Sequence, residues 1–223
     1  VQIPAAYYLT PGLKTRPSKC NIKVLLQLLS FGGATLFIAF ANVGGDTGLR
    51  WLMGIVESEA FVAHLAIMLM PALLLNQLVN AMTVTFMPAT SAFSATGKDG
   101  LLRKLMVCGM RYTSLMVICC FIVMIPLMDQ AIILWVGEKY VFLTPFVFVI
   151  MAGNALMMTA SIPHHMLKGV GKLRATVYIA LTGRLLAPVS LILVLRLVGF
   201  NAYIATAFGL FLGHFVYAAL HVW

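Results

Sequence analysis

Arg184 is the side chain whose placement most needs a chemical reason. It lies ten positions into a long apolar run that holds no carboxylate, too deep to reach either edge of a bilayer easily by snorkelling. Two roles fit such a guanidinium. It faces an aqueous cavity and binds an anionic group of a substrate, with Thr182 and Arg184 flanking Gly183, or it satisfies its donors on backbone carbonyls or a polar side chain of a neighbouring helix. A second polar set, Asn76, Gln77, Asn80 and Thr83, occupies another apolar run, and its spacing of three and four places Asn76, Asn80 and Thr83 on one helical face. This stripe, with Asn154 in a third run, either offers amides to sugar hydroxyls or hydrogen-bonds across packed helices at about 1 kcal/mol per contact.

Enzyme chemistry finds little support. Gly169 to Lys172 read GVGK, but a phosphate loop needs Gly where Met166 stands and Ser or Thr where Leu173 stands. His164 and His165 are adjacent and have no nearby carboxylate or Cys to complete a metal site, so they are expected at a basic membrane interface. With six carboxylates, mostly in loops, paired acid and base catalysis has almost nothing to work with. No catalytic residue, metal or cofactor is expected. His214, deep in the last apolar run, is expected to be a neutral, hydrogen-bonded histidine, and Arg111, a turn or two into its run, to snorkel.

The elements that carry these residues follow from composition. Of 223 residues, 62% are hydrophobic and 9% charged, and the mean hydropathy is +1.01. Soluble domains carry about 25% charged residues, so this chain cannot build a water-facing surface and belongs in a bilayer. Crossing about 30 Å of hydrocarbon takes roughly 20 helical residues. Six runs qualify, over 24–43, 60–87, 105–128, 141–162, 175–198 and 202–220. Their continuity favours helices over barrel strands, and Pro71, Pro126, Pro145 and Pro188 predict kinks. Ala205, Gly209 and Gly213 recur every four residues, a spacing that lets helices approach closely. Cys108, Cys119 and Cys120 fall in apolar runs and read as small hydrophobes.

Basic residues alternate between the connecting segments. Lys14, Arg16, Lys19, Lys23, Lys98, Arg103, Lys104, Lys168, Lys172 and Arg174 fall on one side, against Arg50, Lys139 and Arg196 on the other. Cytoplasmic loops collect Lys and Arg, so both termini are expected in the cytoplasm and the net charge of +9 reflects topology rather than nucleic-acid binding. The opening residues 1–23 read as a cytoplasmic linker or tail. The start at Val1, without a signal-peptide pattern, is expected to mark a truncated chain.

Three local patterns carry a family resemblance: PATSAFSATGKDGLLRKL at Pro88 to Leu105, LWVGEKY at Leu134 to Tyr140 and LKGVGKLR at Leu167 to Arg174. They resemble the polysaccharide-transporter branch of the multidrug/oligosaccharidyl-lipid/polysaccharide exporter superfamily, in an order that agrees with six spans. The resemblance implies an all-α integral membrane fold of two six-helix lobes around a central cavity, of which this chain would be the carboxyl-terminal lobe. It further implies flipping of a lipid-linked oligosaccharide across the cytoplasmic membrane by alternating access. The partners would be that glycolipid, membrane lipid, and a missing amino-terminal lobe or a second copy. The cavity candidates on residue chemistry remain Arg184, Asn76, Gln77, Asn80 and Asn154. A multidrug extruder of the same superfamily and a non-transporting membrane scaffold are the alternatives.

Overall fold

The computed structural model describes residues 22–222. The leader with Lys14, Arg16 and Lys19, and thus nearly all of the linker expected over 1–23, lies outside the described residues. The described chain is helical throughout: α1 (Ile22–Val43), α2 (Leu49–Val56), α3 (Glu59–Thr83), α4 (Phe86–Ala95), α5 (Asp99–Val136), α6 (Thr144–Thr159), α7 (Ser161–Gly169), α8 (Leu173–Ile179), α9 (Ala187–Leu197) and α10 (Ala202–Val222). Two π-helical segments, Gly44–Gly48 and Ala180–Leu186, join α1 to α2 and α8 to α9, and a 3-10 segment, Glu138–Leu143, leads into α6.

Six stretches are long and apolar enough to cross a bilayer: Ile22–Val43, Glu59–Ala95, Asp99–Val136, Glu138–Gly169, Leu173–Leu197 and Ala202–His221. They coincide in number and order with the six expected runs, and the chain is an all-helical, multi-pass membrane protein. The helices outrun the apolar windows because nothing breaks them where hydropathy falls. The third span has 38 residues, about 57 Å at 1.5 Å per residue, well beyond a hydrocarbon core of about 30 Å. Pro71 and Pro126 sit inside continuous helices, Pro145 occupies the first turn of α6, where a missing N–H costs no hydrogen bond, and Pro188 follows the π-helical segment Ala180–Leu186.

One boundary differs in a way that matters. The first span was expected to end at residue 43, with Arg50 in a loop outside it. Val43, Gly48 and Leu49 instead keep right-handed helical backbone, so the helix continues through the π segment to Val56. Asn42 thereby falls near the middle of a helical run over 22–56, and Arg50 lies on the helix.

The fourth span is the centre of the bundle. Its α6 packs on α3, α5 and α10, while α10 also packs on α9 and the Ala180–Leu186 segment, and α1 lies against the fifth span. A core of Leu65, Met68, Val147, Ile150 and Met151 fills the space between α3, α6 and their neighbours. The small-residue stripe does what its spacing implied. A Cβ at Gly209 would lie 2.4 Å from Ile192 Cγ1 and one at Gly213 would lie 2.5 Å from Pro188 Cγ, so α9 and α10 touch where side chains are absent.

The quoted turn motifs also acquire a local reason. Gly137 of LWVGEKY and Gly171 of LKGVGKLR have φ of +104° and +79°. Both end helices in conformations that a Cβ disfavours. At the latter turn the Lys172 N–H donates to Leu167 O, six residues spanned by one closing bond.

Candidate functional site

Arg184 sits on the π-helical segment of the fifth span. A π turn holds an extra residue and spoils the regular backbone ladder, a distortion frequent at functional positions. Here it lets the first span come close: a Cβ at Gly45 would stand 2.6 Å from the Arg184 carbonyl oxygen. The two π segments thus meet backbone to backbone. The guanidinium has a partner distant in sequence, since Nη1 donates to Asn42 Oδ1 at 2.6 Å. Its Cζ also stands 5.9 Å from the centre of the Tyr217 ring. Thr182, expected to flank the arginine usefully, instead donates to the Tyr178 carbonyl of its own helix at 2.8 Å.

The amides divide. Asn76 Nδ2 donates to Asn154 Oδ1 at 2.7 Å, joining the second and fourth spans, and Asn154 is buried. Asn80 Oδ1 lies 3.3 Å from His165 Nε2. Gln77 does not belong with them. One helical step turns it about 100° from Asn76, and it is exposed on the outer surface of α3 and lines neither polar chamber.

Two polar chambers share Asn42, Asn76, Met157 and Arg184. The smaller, about 20 Å³, adds Arg50 and His214. The larger, about 160 Å³, adds Asn80, Ser161, His164, His165, Lys168 and Tyr217. Arg184 thus lines both chambers, Arg50 the smaller and Lys168 the larger, from three spans, with no described carboxylate in either lining. An apolar groove of about 480 Å³ at Pro71 and Trp135 is larger, but it lies between the second and third spans and is lined, Trp135 apart, by aliphatic and Met side chains.

His164, expected at the end of the fourth span, packs inside the bundle there. It is 9% exposed, and its Nδ1 lies 3.1 Å from Tyr217 Oη and 3.3 Å from His221 Nε2. His221 Nδ1 lies 3.0 Å from the Tyr217 carbonyl oxygen, which only accepts, so this nitrogen carries the hydrogen and Nε2 is the acceptor. The His164 Nδ1–H is then shared between His221 and Tyr217, and the group is satisfied with both rings neutral. His214 was expected to be hydrogen-bonded. It is buried, but among the described residues its Nδ1 has no partner. Ser161 Oγ and His165 Nδ1 are likewise buried without partners.

Asn42, Arg50, His164, Lys168 and Tyr217 were not among the sequence candidates. Asn42 could have been found as an amide within an apolar run. The others carried no such signal, because hydropathy assigned them to loops, interfaces or apolar filling.

At the opposite end of the bundle lies a separate, open polar recess of about 350 Å³ lined by Glu57, His64, Arg196 and Tyr203. Arg196 pairs with Glu57, and His64 Nδ1 meets Tyr203 Oη at 2.6 Å amid the rings of Phe61, Phe142 and Phe146. No protein-family model, curated protein or solved structure matches this chain.

Proposed function

We propose that this chain is a transporter lobe that moves a lipid-linked oligosaccharide across the cytoplasmic membrane by alternating access. The observation that carries the reading is the pair of adjoining polar chambers lined by Arg184, Lys168 and Arg50 with amides of Asn42, Asn76 and Asn80. An arginine offers forked donors that match phosphate oxygens, and the amides suit sugar hydroxyls near the lipid diphosphate. The turn motifs that resemble the polysaccharide-transporter branch of the exporter superfamily support the same assignment, and with it a two-lobe assembly and cytoplasmic ends.

The alternatives fit less well. A multidrug extruder of cationic compounds needs a negative lining, and this one is positive. A scaffold held together by polar contacts has no use for a chamber with buried Ser161 Oγ and His165 Nδ1 left unpartnered, each at a cost of about 1–3 kcal/mol.

The test is Arg184 substitution in the native host, with lipid-linked oligosaccharide quantified on each membrane face. Arg184→Ala is expected to leave the glycolipid on the cytoplasmic face, and Arg184→Lys to keep partial transport, both at normal membrane levels. Normal transport by the Ala variant refutes the reading, and failure of both variants to accumulate assigns Arg184 to structure instead.

A further inference from the structure

We propose that the polar chamber takes up a proton together with each anion it binds, and that the proton lands on Nδ1 of His165. This rests on the anion-binding reading above and adds the chemistry by which that site accepts its charge.

The hydrogen-bond geometry selects the nitrogen. His165 Nε2 lies 3.3 Å from Asn80 Oδ1, an amide oxygen that only accepts, so Nε2 carries the hydrogen of the neutral ring. Nδ1 is then a bare lone pair. It is buried, and no described residue donates to it. His164 and His221 differ: their neutral forms already satisfy each other and Tyr217. Ser161, His165 and Lys168 fall at i, i+4 and i+7 on α7, which puts them on one helical face, and all three line the larger chamber.

A proton on Nδ1 converts the lone pair into a donor that needs an acceptor. In the empty chamber the charged neighbours, Arg184 from the fifth span and Lys168 from α7, are donors only, and an imidazolium there faces like charge. A bound dianion supplies acceptor oxygens and reverses the sign of the field. Proton and anion therefore bind together, the proton coming from bulk water, and by linkage each strengthens the other.

Among the described residues, Arg50 and His214 line the adjoining smaller chamber that shares Arg184, and not the larger one that His165 faces. The sixth span presents Tyr217 and His221 to α7, and α3 presents the neutral Asn80. Neither α4 nor α6 carries an ionisable side chain. Asp99, Arg103, Lys104, Cys108, Arg111 and Tyr112 of α5, with Arg174 and Tyr178 of α8, are exposed and do not line the chamber.

The probe is methanedisulfonate, a diphosphate-shaped dianion whose own charge does not change near neutral pH. Calorimetry on the whole detergent-solubilised chain, in buffers of differing ionisation enthalpy, counts protons taken up per anion. Up to one proton per anion is expected, with affinity falling as pH rises through the ordinary histidine range at about 6.5. His165→Gln is expected to bind the probe without uptake or pH slope, and His165→Lys to bind it independently of pH. Binding by the unaltered chain without proton uptake overturns the proposal and leaves the anion site standing, whereas no binding at any pH overturns both. A slope that survives in His165→Gln overturns the assignment to His165. If that variant does not fold, the proton count on the unaltered chain still decides whether uptake occurs.

Discussion

Replacing Asn42 by Asp separates what holds Arg184 from what Arg184 binds. Asn42 Oδ1 accepts from Nη1 at 2.6 Å, and a carboxylate of the same shape keeps that geometry while adding a negative charge. The helix contact is then a charge-assisted pair, roughly twice as strong as its neutral counterpart, so thermal stability should hold or rise. Anion binding should suffer. A unit charge about 5 Å from a bound oxyanion, at an effective dielectric of about 20, opposes it by about 3 kcal/mol per unit of anion charge. That is about a hundredfold in affinity. Asn42→Ala makes the opposite expectation: a guanidinium N–H left without its acceptor costs about 1–3 kcal/mol of stability, while the chamber keeps its full positive charge. Methanedisulfonate calorimetry and thermal unfolding, in one detergent, read both quantities. Binding by Asn42→Asp within about threefold of the unaltered chain, a difference under about 0.7 kcal/mol, refutes the reasoning. So does a loss of affinity in Asn42→Ala as large as that in Asn42→Asp.

Reporter fusions after Lys104 and Lys172 should read cytoplasmic, as the distribution of Lys and Arg requires; an exported signal at either overturns the orientation. In a cysteine-free background, Asn80→Cys should react with a water-soluble maleimide in membranes and Gln77→Cys should not, and equal labelling at the two positions contradicts the chamber geometry. Gly213→Ala should lower stability by about 1–3 kcal/mol by overpacking against the Pro188 ring, read as a shift in thermal unfolding. Gly32→Ala, where nothing lies within 4 Å of the added carbon, should show no such loss.

The six spans were legible because crossing a bilayer demands a long apolar run, and that demand is local in sequence. Arg184 was legible for the same reason: a charge deep in such a run is costly wherever it points. Which partner stabilises it was not, because Asn42 lies 142 residues away and pairing across spans leaves no local pattern. Asn76 meets Asn154 in the interior and lines the larger chamber with the exposed Asn80, on one face as the helical spacing allowed. Gln77 was included by adjacency, although one residue of helix turns it outward. Arg50 was expected in a loop but lies on a helix, and His164 was not expected to be buried, for a common cause. Hydropathy reports where a run of apolar residues ends, but a helix ends where its backbone is interrupted, and neither the Gly44–Gly48 segment nor the start of α7 interrupts it.

The paired π segments restrict how this chain can change length over evolutionary time. Each holds a surplus residue, and each stands against the other through Gly45 and the Arg184 carbonyl. Deleting one residue between Ala180 and Leu186 would relax that turn to an ordinary α-helix and swing one flank by about 100°. Either Pro188 and Ile192 would leave their seats on Gly213 and Gly209, or α8 would lose its register on the first span. Insertions and deletions in this stretch should therefore be inherited in concert with changes at Gly44–Gly48, and descendants of this sequence can be sorted by whether both surplus residues persist.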